Sequence, residues 1–232
     1  MIDKQVSDVS AALDGIGHGA TVMISGFGET GLPEALIDGL ITLGVGGLTV
    51  VNNNAGTGST GIAALLRAGR VSKVICSFPR QVGSTVFDEL YRAGDVELEL
   101  VPQGTLAERI RAAGAGIGGF FTPTGFGTEI AAGKERREIG GRNYVFEFPL
   151  FADVALISAF RADRLGNLVY RRTSRNFGPI MATAASTTIV QVDEIVDAGS
   201  LDPETIITPG IFVDRVVAVG SRFDNEAWAH VR

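Results

Sequence analysis

The feature that most limits how this chain can fold is an alternation of short apolar runs with longer amphipathic segments across its first half. The pattern predicts strands at 20–24, 48–51, 71–76 and 96–101, followed by helices at 33–43, 59–68, 84–93 and 105–113. Four such units in a row predict an α/β fold, a mostly parallel sheet covered by helices. Val6, Val9, Ala12 and Leu13 mark a short amphipathic helix ahead of the first strand. Three helical patterns finish with a basic residue and then glycine: Arg67-Ala68-Gly69, Arg92-Ala93-Gly94 and Arg111-Ala112-Ala113-Gly114. A cation suits the negative end of a helix dipole, and glycine accepts the left-handed cap. Ser59 is the expected N-cap of the second helix in this series.

Beyond Gly114 the alternation stops. Residues 114–127 read as a long glycine-rich loop carrying Phe120, Phe121 and Phe126, either a lid, a ligand wall, a partner contact or a packed Ω-loop. Residues 129–175 read as short antiparallel strands. Runs at 137–139 and 143–145 flank Gly140-Gly141, a hairpin signal, and 154–160 and 168–170 flank a turn at 163–167. A helix at 177–185 and strands at 187–192 and 211–219 restore the α/β pattern. The expected organisation is one domain over 1–232, with a parallel core at about 18–113 plus 186–219 and a smaller antiparallel or mixed β portion at about 129–175. The last dozen residues, with Trp228 and His230, read as a frayed tail. Arg171, Arg172 and Arg175 form a local basic patch, expected to pair with carboxylates such as Glu147 or Asp153 rather than to meet an anionic ligand.

Composition narrows the function classes. The formal charge of -6 argues against a nucleic-acid partner, and the small arginine patch does not rescue that idea. No apolar run approaches membrane-spanning length, and the polar first ten residues do not resemble a signal peptide. Cys76 is the only cysteine, so no intrachain disulfide forms and a reducing, cytoplasmic setting is expected. With two histidines, His18 and His230, and one cysteine, no metal site of usual type is expected.

The stretch 20–33 carries the strongest chemical signal. A buried strand ends in Ser25, Gly26, Phe27, Gly28, Glu29, Thr30 and Gly31, and Pro33 opens a helix. Backbone N–H groups beside a helix N-terminus suit a phosphate, an oxyanion or a carboxylate. The spacing Gly26-x-Gly28-x-x-Gly31 also fits the dinucleotide fingerprint, but the second strand ends in Asn52-Asn53-Asn54 where that site needs a carboxylate. A structural turn, a dinucleotide site and another anionic or thioester ligand all remain, and the third is favoured. The loops after the other three strands, 52–58, 77–81 and 102–105, should face the same side and offer amides, hydroxyls and the Arg80 guanidinium. Glu29 is either a catalytic carboxylate or a surface or contact residue, and the second is favoured. No nucleophile with an adjacent base is recognisable, since neither histidine is placed to activate Ser25, Ser77 or Cys76. Such a half-site predicts a partner chain.

The stretch from Gly19 to Pro33 resembles the signature of the A (alpha) subunit of family I CoA-transferases, the 3-oxoacid type. His18 stands where the family usually has Asp or Asn, and Ser25 where it has glycine. Further matches are Asn53-Asn54-Ala55-Gly56, Val101 to Arg111, Phe121 to Gly125, Gly166 to Tyr170, Arg175-Asn176-Phe177 and Thr208 to Ile211. Residues 76–81 and 86–94 most resemble members acting on 3-oxoadipate, with acetoacetate or a short-chain acid as the alternative acceptor. The resemblance implies succinyl-CoA as donor, a CoA thioester as substrate rather than a tightly bound cofactor, and a B subunit in a heterodimer or heterotetramer. It places the nucleophilic glutamate on the B subunit. In this chain it implies CoA or acyl binding by Ser25, Gly26, Phe27, Gly28, Glu29, Thr30 and Gly31. It also implies substrate positioning by Asn53 and Gln103, walls at Phe78 and Phe121, and a carboxylate contact at Arg80 whose rival is an ion pair. A nicotinamide oxidoreductase and a non-catalytic ligand sensor are the remoter alternatives.

Overall fold

The computed structural model describes residues 2–80 and 84–220, so the sequence expectations for Gln81, Trp228 and His230 lie outside the described residues. A short helix α1 (Val9–Leu13), N-capped by Asp8 whose carboxylate accepts from the Ala11 amide, leads into the alternating half. There β1 (Thr21–Ile24), α2 (Glu34–Leu43), β2 (Leu48–Val51), α3 (Gly61–Arg67), β3 (Val71–Cys76), α4 (Val86–Ala93), β4 (Glu97–Leu100) and α5 (Gln103–Gly114) follow one another. Helices α2 and α4 end on left-handed glycines, Gly44 and Gly94. Ser59 is not the cap of α3: that helix starts after Thr60, whose side chain makes no capping bond.

The later chain forms β5 (Phe120–Thr122), β6 (Arg136–Ile139), β7 (Arg142–Glu147), β8 (Ala152–Asp163), β9 (Leu168–Val169), α6 (Gly178–Ala184), β10 (Ala185–Val196) and β11 (Arg215–Ala218). The main sheet has the order β11-β10-β8-β1-β2-β3-β4, with every neighbour on that path parallel and β9 paired antiparallel to β8. A second, antiparallel sheet has the order β5-β7-β6.

Side-chain alternation explains the layering. Val22, Ile24, Val50, Val74 and Leu156 join Leu36, Ile37, Leu40 and Leu65 in one buried layer. Their strand neighbours Met23, Val51, Ile75, Ala155 and Ile157 join Leu106, Ile110 and Met181 in another. A strand has period two, so apolar residues in succession bury both faces and demand helices on each side.

The expectation of short antiparallel strands over 129–175 holds for 136–147 and fails for 152–163. β8 lies in the middle of the main sheet, parallel to β1 and β10, because Val154 to Ile157 is apolar on both faces. Its antiparallel pairing with β9 involves only Arg161 and Ala162, and that local hairpin is what the sequence pattern displays. The 114–127 loop is interrupted by β5, so Phe121 stands on a strand. Residues 211–219 include a 3-10 turn at Gly210–Phe212 before the shorter β11.

From β1 the chain steps outward through β2, β3 and β4, and from β8 it steps the other way through β10 and β11. The strand order therefore reverses between β1 and β8. In open parallel sheets the crevice outside the carboxyl ends at such a reversal is where ligands bind.

Candidate functional site

The glycine turn leaves the carboxyl end of β1 at this reversal. Its glycines have φ of 131° at Gly26, 60° at Gly28 and 78° at Gly31, which L side chains rarely adopt. Phe27 and Thr30 exchange backbone hydrogen bonds of 3.0 and 3.2 Å and close a tight hairpin. Its tip amides, Gly28 and Glu29, make no hydrogen bond among the described residues. The Gly26 amide, by contrast, donates to Asn176 Oδ1 at 3.1 Å, and the Leu36 amide in the first turn of α2 donates to buried Gln191 at 3.1 Å. The expected row of open N–H groups is thus narrower than the sequence implies, because neighbouring side chains cap part of it. Glu29 accepts a hydrogen bond from the Thr57 hydroxyl, which joins the loops after β1 and β2.

Ser25 lies inside this fold rather than toward a ligand. It is fully buried, its hydroxyl donates to the Gly31 carbonyl at 2.9 Å, and it accepts from the Ser158 amide at 3.1 Å. The side chain therefore ties β1 to β8 and leaves the turn surface to its backbone.

Two cavities flank the turn. One, of about 580 Å³, lies against α2, β8 and β10 and is lined by Glu29, Gly31, Glu34, Arg171, Gln191 and Asp193 among others. The other is an open groove of about 540 Å³ in which Phe27 and Gln103 meet Arg111, Asn176, Phe177 and Ile180. Gln103 is exposed at the start of α5, and Phe27 is 47% exposed, so both keep surface for a ligand.

Asn53 is almost fully buried, and its Oδ1 accepts from the Ser77 hydroxyl at 2.7 Å. This bond, with Ser77 and Phe78 amides donating to the Asn53 carbonyl, locks the loops after β2 and β3 together. Phe78 presents its ring at 57% exposure beside them. Arg80 Nε pairs with Asp88 at 2.7 Å on the surface. Phe121 is not brought to this cluster by any described contact. Its ring packs edge-on against Phe146 at 5.2 Å and under the Arg137 guanidinium at 4.5 Å, in the small sheet.

Three further residues were not legible as parts of this region. Asn176 reaches the turn from 150 positions away, Ser158 sits mid-strand, and Gln191 lies in β10. Only the Asn176 segment carried a signal, as one of the family-like motifs. The two carboxylates offered as examples for the Arg171–Arg175 patch have other partners. Glu147 is held by Lys134 and Asp153 accepts the Thr21 amide, while Arg171 lies over the Phe160 ring at 5.5 Å.

Among the described residues the cluster has donors and apolar walls but no activated nucleophile. Burial raises the Cys76 thiol to about 12, against a weaker opposing hydrogen bond from the Phe78 backbone, so it stays protonated at neutral pH. The Ser25 and Ser77 hydroxyls are held by carbonyl and amide partners. His18 lies far below, accepting from the Gly46 amide ahead of β2. No group of His, Cys, Asp and Glu able to hold a metal exists among the described residues, and no described helix is long and apolar enough to cross a membrane.

A parallel sheet with a glycine turn at its switch point, and open backbone amides at the tip of that turn, is an arrangement suited to anionic ligands. Residues 6–219 match the family model described as Coenzyme A transferase, and the chain belongs to that family. It is 64% identical to the A component of 3-oxoadipate CoA-transferase from Pseudomonas putida, over 94% of this chain and 95% of that one. It is 50% identical to the A component of a succinyl-CoA:3-ketoacid coenzyme A transferase from Xanthomonas campestris, over 92% and 88%. Among solved structures, glutaconate coenzyme A-transferase from Acidaminococcus fermentans shares the fold at TM-score 0.81 and 22% identity, over 94% of this chain and 76% of that one.

Proposed function

We propose that this chain is the A component of a heteromeric CoA-transferase that moves CoA from succinyl-CoA to a 3-oxoacid, with 3-oxoadipate as the acceptor. The observation that carries the acceptor is the 64% full-length identity to the corresponding component of a 3-oxoadipate CoA-transferase, against 50% for a 3-ketoacid relative. The chemistry runs through a glutamate of the partner B subunit. Its carboxylate attacks the succinyl thioester carbonyl, releasing CoA thiolate and leaving a mixed anhydride. The thiolate attacks the glutamyl carbonyl, giving a glutamyl-CoA thioester and free succinate. The acceptor carboxylate then displaces the thiolate, and the thiolate captures the acyl group and frees the glutamate.

Each addition places negative charge on a carbonyl oxygen. Donors already aimed at that oxygen stabilise it without reorganising, and removal of one such donor costs about 100–1,000-fold in kcat. The open Gly28 and Glu29 amides, Asn53 and Gln103 are the donors this chain contributes, and Phe27 and Phe78 the apolar walls. The thioester is substrate, with no tightly bound cofactor. The single buried cysteine agrees with a cytoplasmic setting. Arg80 would grip the remote carboxylate of the dicarboxylic acids by exchanging Asp88 for substrate, a bidentate contact that an exposed ion pair does not prevent.

The test is CoA transfer from succinyl-CoA by this chain co-purified with its B subunit, with 3-oxoadipate and acetoacetate in competition. The expected result is transfer to 3-oxoadipate by the complex and none by this chain alone. Turnover by a partner-free preparation overturns the division of labour, and preference for acetoacetate overturns the acceptor.

A further inference from the structure

Asn176 ends the loop 171–176 and has every hydrogen-bonding position of its side-chain amide in use. Oδ1 accepts from the Gly26 amide at 3.1 Å and from the Phe177 amide at 2.7 Å. Nδ2 donates to the Thr30 carbonyl at 3.0 Å and to the Thr173 carbonyl at 3.2 Å. Gly26 and Thr30 lie on the two sides of the Phe27–Thr30 hairpin, so one side chain spans its base. The loop also presses on the hairpin directly: a Cβ on Gly31 would lie 2.4 Å from the Ser174 carbonyl oxygen. Arg172 in the same loop holds φ at 54°, a left-handed conformation that costs a side-chain-bearing residue energy. Strain of this kind persists only where surrounding contacts over-determine it. The hydrogen bonds to the hairpin are those contacts.

We propose that Asn176 is a positioning residue of the transfer reaction. It fixes the separation of Gly26 and Thr30, and through it the direction of the open Gly28 and Glu29 amides and of Phe27 in the groove shared with Gln103. This role rests on the transferase reading above. The amides act only if they point where the oxyanion forms, and a displacement of about 1 Å in such a site costs about 100-fold in rate.

The test uses the complex formed with the B subunit. It compares wild type with Asn176→Asp, Asn176→Ala and Gly31→Ala. Aspartate keeps the size and both acceptor bonds but, when ionised, loses the two N–H donors. Gly31→Ala keeps the Asn176 side chain but crowds the loop off the hairpin, since its Cβ would lie 2.4 Å from the Ser174 carbonyl oxygen and 2.9 Å from Asn176 Nδ2. The expected result is a kcat lowered about 100-fold in Asn176→Asp, with KM for both substrates within about threefold. Gly31→Ala should reproduce the same split. Amide hydrogen exchange at residues 26–31 should quicken in Asn176→Asp while the β8 and β10 amides keep their protection. If Asn176→Ala fails to fold, Asn176→Asp and Gly31→Ala carry the result. A lowered melting temperature with unchanged kcat in Asn176→Asp overturns the proposal and leaves a purely structural pin, and unchanged exchange at 26–31 overturns it on independent ground. Failure of the wild-type complex to transfer CoA counts against the transferase reading and removes the positioning role with it, which the wild-type arm reports separately.

Discussion

The glycine turn after β1 and the Gly140-Gly141 hairpin between β6 and β7 use the same residue type for different reasons. Gly140 and Gly141, at φ of 59° and 76°, have nothing within 4 Å of an added Cβ. They supply the left-handed backbone of a two-residue hairpin whose strands pair with each other. Gly31 has the same sign of φ, but an added Cβ there meets backbone from far along the sequence, at Ser174. The hairpin is therefore a local device and the β1 turn is a long-range one. Bonds from Asn176, Ser25 and Thr57 converge on the turn, whereas the small sheet is held by its own ladder, by the Phe121, Phe146 and Phe148 rings and by Arg137. A site that must hold donors still is built by distant residues, and one that only reverses the chain is not.

The largest effect that would sharpen this contrast belongs to Gly31→Val. A branched side chain against the Ser174 carbonyl forces the loop and the turn apart, and the expected outcome is a loss of stability of several kcal/mol together with transferase activity, read by thermal melting and initial rates. Gly28→Ala is the gentler probe. No atom lies within 4 Å of its Cβ, so the cost is the left-handed backbone alone, about 1–2 kcal/mol. Equal destabilisation by the two would break the distinction between steric and conformational glycines.

Next comes Glu99, on β4 beside the small sheet. Burial disfavours its charge, but hydrogen bonds from Lys73 and Arg109, at 2.7 and 2.9 Å, outweigh that and hold its carboxyl below its ordinary value of 4.5. A carboxylate whose folded value is depressed contributes stability that is complete above its unfolded value and is lost as pH falls through the folded one. Wild type should therefore melt above Glu99→Gln at pH 7, and the gap should close as the pH falls from the carboxyl's ordinary value of 4.5 through the depressed folded one. A gap that is constant with pH would show that packing, not charge, is what Glu99 supplies. The effect is modest because the carboxylate is one-third exposed.

The smallest effect is expected for Gly140→Asn. Asparagine followed by glycine is a favoured pair for such a hairpin, so stability should move by no more than about 0.5 kcal/mol and activity not at all. A large loss would mean that the small sheet, like the β1 turn, depends on contacts outside itself.

Much of this was written in the sequence. The short apolar runs and helical patterns of residues 20–113 marked all four strand–helix units, since such patterns are set by local geometry that holds wherever the segment packs. The glycine turn, its place after β1 and the loops that join it were legible for the same reason. Val154 to Ile157 shows why the rest was not: its apolar run is equally consistent with a hairpin strand and with the centre of a parallel sheet, and only the pairing with β1 and β10 decides. Arg80 found Asp88, Ser25 turned inward, and Phe121 joined the small sheet because neighbours in space set each side chain's partners. Asn176 and Gln191 were drawn to the turn from the far side of the reversal in strand order. The sequence by itself determined the elements and the family, because both reside in order along the chain. Only the tertiary structure decided which amides remain open to a ligand, because an N–H group is a donor only when no distant oxygen has already taken it.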